Sequence, residues 1–351
     1  MHRPPSAHAV IGCGRVAPNH VDAFRALGAG WTVSWACDRD PEVAARFARE
    51  YGIPRVTHTI DDVLADADLV SVSIVTDHAQ HAGLVERALR AGKHVLVEKP
   101  LALSVAEGER LLRIADEHDR VLSVVSQHRY DPLVVGLADW VRAGLLGRLL
   151  YVRAVLEAGR DEAYYADSYW RGTWAGEGGS AVINQGYHCL DVTRAVCGGL
   201  TVVAAMAQSG ELFDDMRTED TLSALLSAGS VPVSFAVTVG SRVTWRTRLE
   251  FVGTQGTVEI DLDHPGVLHR ATGNRELERR AAELDLGIGE VPPGNDYYGI
   301  SHRRQAADFA VAVASSKQMV ADARAGLAMV ELITGLYHAA GLPGPAARPG
   351  A

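Results

Sequence analysis

Two short stretches carry residue types that can move a proton. The first is GGSAVINQGYHCLD, residues 178–191, where two glycines lead through an apolar run to Asn184, His188 and Asp191. Spacings of four and then three put these side chains on one face of a helix that starts near Val182. An imidazole suits general-base work near neutral pH without adjustment, and an amide one turn earlier can orient it or bind a hydroxyl. The second is HVLVEKP, an apolar strand that ends in Glu98, Lys99 and Pro100. Pro100 restricts Lys99 to an extended backbone, which limits where its long side chain points. Each stretch also has a plainer reading. Charges after a strand mark the return to water, and a histidine in a helix is most often a hydrogen-bonded core residue.

The elements that would position these groups are legible around them. Short strands rich in Val and Ile fall at residues 7–11, 31–36, 69–75, 94–97 and 121–126. Helical patterns lie between them, through Leu27 and over residues 42–51, 79–91 and 105–117. Such alternation implies parallel pairing with right-handed crossovers, a doubly wound sheet with its ligand crevice at the strand C-termini. At the first strand-to-helix turn stands GCGRVA, a GxGxxA form of the dinucleotide fingerprint. Gly12 serves the tight turn, Gly14 lets backbone N–H groups approach a pyrophosphate, and Arg15 and Val16 lead into the helix. Asp38 ends the second strand, where a carboxylate accepts ribose hydroxyls and repels a 2′-phosphate. NAD is therefore the expected cofactor and NADP the lesser candidate, since Arg39 could receive that phosphate. The competing role for Asp38 is to cap the helix that begins near Pro41. An ammonium beside a cationic nicotinamide ring, partly desolvated, yields its proton more easily and can exchange one with a substrate hydroxyl.

Composition narrows the classes. At 351 residues, two domains are favoured over one core. The net charge of −9 argues against nucleic acid. No apolar run approaches the roughly 20 residues a membrane span needs, so no membrane partner is expected. The first ten residues lack the features of a secretory signal. Cys13, Cys37, Cys189 and Cys197 are scattered, which fits reduced thiols and a cytoplasmic protein better than a disulfide or zinc framework, and no metal is expected. The tail GLPGPAARPG is expected to be loose.

GCGRVA, VLVEKPLA and the glycine-led stretch, in that order and at these distances, resemble the Gfo/Idh/MocA oxidoreductases, and the resemblance runs over essentially the whole chain. It implies an NAD(P)-dependent dehydrogenase acting on sugars, inositols or related polyols. It implies a Rossmann domain over residues 1–126, then an α+β domain over 127–351 whose large, mostly antiparallel open sheet joins subunits as a homodimer or homotetramer. VTDHAQHAGL resembles the loop that brings Thr76, His78 and His81 to the cofactor, with Glu98. SQHRYDP resembles the stretch in which Gln127 and Arg129 approach the nicotinamide end and the substrate. YYADSYWRGTW resembles a sugar-oxidising branch, placing Tyr165 at the substrate and Trp170 and Arg171 near cofactor and substrate. His302 and Gln305 match a position that reaches into the substrate pocket. In the family an Asp precedes the facing His by four residues. Asn184 stands there, so the carboxylate–histidine dyad is absent at that spacing unless Asp191 replaces it. NQGYH itself resembles nucleotide-sugar 3-dehydrogenases.

The base role is divided between Lys99 and His188, with Lys99 favoured, and the two are expected to converge beside the redox ring. Asp161, Glu162 and Asp167 among Tyr164, Tyr165 and Trp170 would suit a cationic amino-sugar of the aminoglycoside kind. Arg160 and Arg171 would suit a nucleotide diphosphate. The expected reaction is oxidation of a secondary sugar hydroxyl, at C3. An NAD-requiring glycosidase working by transient oxidation, or a non-catalytic NAD-binding regulator, are the rival readings. TVVAAMAQ, DTLSALLSAG, VPVSFAVTVG and TRLEFVGTQGTVEID read as antiparallel strands. Residues 263–296 read as a polar excursion with a short charged helix, and 322–339 as a helix.

Overall fold

The computed structural model describes residues 6–209, 216–263, 266–286, 299–315 and 317–345. The chain forms two compact units, one of Met1–Gln127 with Val291–Leu327 and one of His128–Glu290 with Ala328–Ala351. The return of residues 291–327 to the first unit is not in the expected division of 1–126 and 127–351.

In the first unit, β1 (Ser6–Ile11), α1 (Ala17–Arg25), β2 (Trp31–Cys37), α2 (Pro41–Glu50), β3 (Arg55–Thr57), α3 (Ile60–Leu64), β4 (Leu69–Ile74), α4 (His78–Arg90), β5 (His94–Val97), α5 (Val105–Glu117) and β6 (Leu122–Val124) alternate. The strands form one sheet in the order β3-β2-β1-β4-β5-β6, and every pair is parallel. The strand order reverses between β1 and β4, the place where an open α/β sheet binds its ligand.

The second unit holds α6 (Pro132–Arg142), β7 (Leu149–Gly159), α7 (Glu162–Ala166), a π-helical turn (Ala181–Gly186), α8 (Tyr187–Cys197), β8 (Thr201–Ser209), β9 (Glu219–Ala228), β10 (Val231–Thr238), β11 (Gly240–Gly253), β12 (Thr257–Ile260), β13 (Leu268–Thr272) and α9 (Arg275–Ala282). Its seven strands run in the order β13-β12-β11-β7-β10-β9-β8. Only β7 and β10 pair in parallel. Alternation is clear on β10, where Val233, Phe235 and Val237 are buried and Pro232 and Ser234 exposed. Of the excursion at 263–296, α9 and β13 are described. Residues 287–298 and 346–351 lie outside the described residues.

Two more helices complete the chain, α10 (Gly299–Ser315) and α11 (Ala323–Ala339). α10 belongs to the first unit because its apolar side is part of that core: Ala306, Phe309 and Ala312 pack with Val21 and Phe24 of α1. Phe309 is fully buried, edge-on to Phe24 at 6.1 Å, and burial of this kind is worth about 1.5–3 kcal/mol. The four thiols are unpaired, three of them buried. Burial pushes each of them up to about 12, which makes them inert.

Candidate active site

The nucleotide end is built by the first turn. Gly12 has φ +93°, and a Cβ there would lie 2.4 Å from the Val75 carbonyl oxygen, so only glycine fits. At Gly14 a Cβ would meet no protein atom within 4 Å. The bare backbone therefore opens on space that a side chain would fill. No side chain caps α1, the condition under which an anion can take that place. Asp38 accepts the Cys13 N–H on Oδ2 at 2.9 Å and the Asp40 N–H on Oδ1 at 3.0 Å. The helix α2 is capped by Asp40 instead. Asp38 is thus a fixed, partly exposed carboxylate beside the glycine turn, with lone pairs left for hydroxyls. Gly14, Arg15, Val16 and Arg39 are exposed around it. These residues fit NAD.

At the end of β5, Glu98 is held from two helices. His20 Nε2 of α1 lies 3.1 Å from Glu98 Oε1, and His302 Nε2 of α10 lies 3.5 Å from the same oxygen. The Lys99 N–H donates to Glu98 Oε2 at 3.3 Å. The two histidines hold the Glu98 carboxyl well below the ordinary range although burial opposes it. The ligand atoms of His20, Glu98 and His302 lie within 4.8 Å of one another. His302, expected at the substrate, lies against Glu98 within the first unit. Gln305 is likewise structural. It accepts the Ser126 N–H at 3.0 Å and donates to the Val124 carbonyl at 2.8 Å, tying α10 to the end of β6. His81, expected near the cofactor, is fully buried with Nδ1 2.7 Å from the Pro100 carbonyl and Nε2 3.2 Å from the Thr76 carbonyl. It braces the segment after Lys99 against the loop before α4. His78 and Gln127 are buried, and Thr76 is half-buried.

In the second unit Gly178 and Gly179 both have positive φ, and a Cβ on Gly179 would strike Tyr337 Oη at 2.0 Å. The segment then enters the π-helical turn, anchored by Glu219. That carboxylate accepts the Ser180 N–H at 3.1 Å, the Val182 N–H at 2.9 Å and the Tyr337 hydroxyl at 2.8 Å. Its complete burial pushes it up to about 7, against those hydrogen bonds. Asn184 donates to Glu177 Oε1 at 2.6 Å and Glu177 is fully buried. Because the turn is π-helical, Asn184 and His188 are not joined by the simple α-helical geometry expected of their spacing. The His188 ring packs edge-on to His128 at 4.8 Å. Asp191 does not supply the missing dyad carboxylate. It takes both Nε and Nη2 of Arg129, at 2.8 and 2.5 Å, in a buried bidentate pair. Arg129, expected at the substrate, is held there. Tyr165 is buried with its hydroxyl 3.1 Å from Ser180 Oγ.

Tyr164 gathers the cations. The guanidinium carbon of Arg171 lies 4.3 Å from its ring centroid and that of Arg160 lies 5.0 Å away. Arg171 also lies 5.4 Å from the ring of Trp170, and Arg160 donates to Gln185 Oε1 at 2.7 Å. Among the described residues neither arginine forms an ion pair. Asp161 caps α7 through the Tyr164 N–H, and Glu162 and Asp167 are exposed.

Residues 7–126 match the oxidoreductase family with an NAD-binding Rossmann fold, and residues 134–259 match the GFO/IDH/MocA C-terminal domain. The chain belongs to the Gfo/Idh/MocA oxidoreductase family. It is 27% identical to D-apiose dehydrogenase of Paraburkholderia graminis over 81% of this chain and 74% of that protein. It is 26% identical to inositol 2-dehydrogenase of Rhizobium meliloti over 82% of this chain and 91% of that protein. In fold it is similar to the WlbA dehydrogenase of Bordetella pertussis in complex with NADH and UDP-GlcNAcA. The TM-score there is 0.85 at 24% identity, covering 97% of this chain and 96% of that chain. This Gfo/Idh/MocA member is an NAD-dependent oxidoreductase acting on CH–OH groups. Among the described residues no helix is long and apolar enough to cross a membrane.

Reading the sequence missed His20, His128, Glu177 and Glu219. His20 had a local signal, a histidine three residues after Ala17 on the helix that the fingerprint opens. Glu219 had none, since its partners lie 37 or more positions away.

Proposed function

We propose that this protein oxidises a secondary hydroxyl of a sugar, at C3 of a hexose-type ring in a nucleotide-sugar, with Lys99 as the acceptor of the hydroxyl proton. Bound NAD supplies the hydride acceptor. Every other step falls to the chain. Gly12, Gly14 and Asp38 hold the dinucleotide, Lys99 takes the proton, and His188 and Asn184 bind the sugar or share the proton. The observation that carries the reading is a lysine leaving the C-terminal end of β5, on the ligand edge of a sheet whose first turn fits NAD, with its backbone N–H held by the half-buried Glu98 carboxylate. Strand C-termini are where such sheets present reacting groups. Arg160 and Arg171 around Tyr164 favour the nucleotide-sugar over a cationic amino-sugar, because two guanidiniums near one ring attract an anion. The carboxylates that would have bound an amine are engaged in helix capping or face water.

The test is NADH formation across nucleotide-sugars, aminoglycosides, glucosides and inositols. The expected result is turnover of a nucleotide-sugar, with Lys99→Met lowering kcat about a hundredfold or more while NADH still binds. Absence of NADH formation throughout, with cofactor bound, overturns the proposal. Release of a chromogenic leaving group without net NADH would make the protein a glycosidase. The same reading assigns the seven-stranded sheet to subunit contact, supported by Met206 and Leu225, 75% and 46% exposed on β8 and β9. Light scattering of Met206→Glu and wild type tests it, with dissociation expected.

A further inference from the structure

Every residue from 178 to 193 is buried except Asn184 and His188, which are half-buried. Those two positions keep the segment open to a ligand, and Asn184 is tied from behind. Glu177, fully buried, accepts from Asn184 Nδ2 on Oε1 at 2.6 Å. Its other oxygen, Oε2, accepts the Gly172 N–H, also at 2.6 Å. Asn184 Nδ2 lies 3.4 Å from Tyr164 Oη as well, and Gln185 Nε2 donates to that same oxygen at 3.0 Å. One carboxylate therefore joins the loop after Trp170 and Arg171 to the π-helical turn, a kind of helical insertion frequent at functional sites.

We propose that Glu177 is a positioning residue for the sugar site: it fixes which way the Asn184 amide faces, so that Asn184 meets a substrate hydroxyl with its oxygen as acceptor. This rests on the reading that Asn184 binds the sugar. An amide has two ends of opposite polarity, and its neighbours decide their directions. An ionised carboxylate only accepts, so Glu177 selects the NH₂ end. Oδ1 is then turned to the other edge of the amide plane, where its two lone pairs suit a hydroxyl proton.

Gly172 makes the arrangement exacting. Its backbone N–H is a fixed donor that takes one carboxylate oxygen while Asn184 takes the other, so position 177 must accept twice. A glutamine there has one accepting oxygen for two donors. With that oxygen on Gly172, its own NH₂ faces Asn184, and the asparagine must turn over to accept from it. The sugar then meets a donor where the wild type has an acceptor. An aspartate at 184 would set two carboxylates against each other in a buried place. Asparagine is the residue of that size that Glu177 admits.

The sequence makes the test direct, because Asn19, Asn184, Asn274 and Asn295 are its four asparagines. Protein carrying ¹⁵N in the asparagine side chains gives one NH₂ pair for each by NMR, and Asn184→Ser identifies the Asn184 pair by its loss. In wild type one proton of that pair is expected downfield and slow to exchange with water, as a charge-assisted hydrogen bond requires. In Glu177→Gln it should move upfield and exchange about tenfold faster or more. Asn274, whose Nδ2 donates to the Leu145 carbonyl at 3.2 Å, reports an intact second unit. In turnover, Glu177→Gln should raise the KM for the sugar about tenfold, with kcat and NADH affinity little changed. The swap Glu177→Gln with Asn184→Asp, which exchanges amide and carboxylate, should restore KM to within about threefold of wild type. If Glu177 served only to close the loop on Gly172, no such recovery would occur, since the glutamine satisfies Gly172 in single and double variants alike. An Asn184 pair with ordinary shift and fast exchange in wild type overturns the inference, and needs no variant of Glu177 to fold. So does a pair unmoved by Glu177→Gln, or a folded swap whose KM stays as high as that of Glu177→Gln. The NMR reading needs no substrate. If the pair moves but KM does not, Glu177 orients Asn184 and the sugar contact assigned to Asn184 fails. If KM rises while the pair stays in place, the orientation alone fails.

Discussion

Replacing Glu219 by Gln should make the protein more stable above pH 7 and much less so near pH 5. Glu219 is fully buried and pushed up to about 7 from an ordinary value of 4.5. Between those values the unfolded chain releases a proton that the folded chain retains. Stability is therefore lost as pH rises through that window and is level beyond it. A displacement of this size corresponds to about 3 kcal/mol at full ionisation. Glutamine keeps the working geometry. Its carbonyl, at the Oε1 position, can accept the Ser180 and Val182 N–H groups and the Tyr337 hydroxyl. Urea denaturation of both proteins at intervals from pH 5 to pH 8.5 gives the stability difference at each pH, which cancels every other titrating group. The difference should grow by about 2.5 kcal/mol between pH 5 and pH 8. A difference independent of pH would mean that Glu219 is ionised at all these values, and the role of burial in setting its charge would be refuted.

Gly179→Ala sets a Cβ against Tyr337 Oη and should cost about 3 kcal/mol or more. Adding Tyr337→Phe should recover part of the melting temperature, because it removes the atom struck. Asp191→Asn removes the charge that neutralises Arg129 and should cost about 3–5 kcal/mol by chemical denaturation. The double replacement Arg129→Met with Asp191→Leu should recover most of it. Asp38→Ala should weaken NADH by about 1.5–3 kcal/mol, read by fluorescence titration, and weaken NADPH less.

The first unit was legible because its signals are local. Val- and Ile-rich runs, amphipathic helices and one glycine turn each act over a few residues, and the helix over residues 105–117 was found with its ends in place. Strand β3 was missed because three residues at a sheet edge bury almost nothing. Strand β7, in the middle of the second sheet, was missed for another reason. In LLYVRAVLEAG the buried Val152, Ala154, Leu156 and Ala158 are set among Leu, Arg, Ala and Glu, which favour helix. Tertiary pairing with β10 and β11 overrides that preference. At the site, the types Lys99, His188 and Asp38 were visible, but their partners were not. Asp191 was known to be near His188 along a helix, yet a bidentate guanidinium 62 positions away competes for it far better than an imidazole. His302 was read as a substrate ligand because nothing local tells a histidine that faces a ligand from one that faces a glutamate two hundred residues earlier.

The return of residues 291–327 to the nucleotide unit has a consequence for biosynthesis. A ribosome that has translated all six parallel strands has made a sheet lacking Phe309 on α1 and lacking His302 on Glu98. Those arrive only after residues 128–290 have emerged. A nascent chain, or one truncated before α10, thus carries an incomplete nucleotide fold.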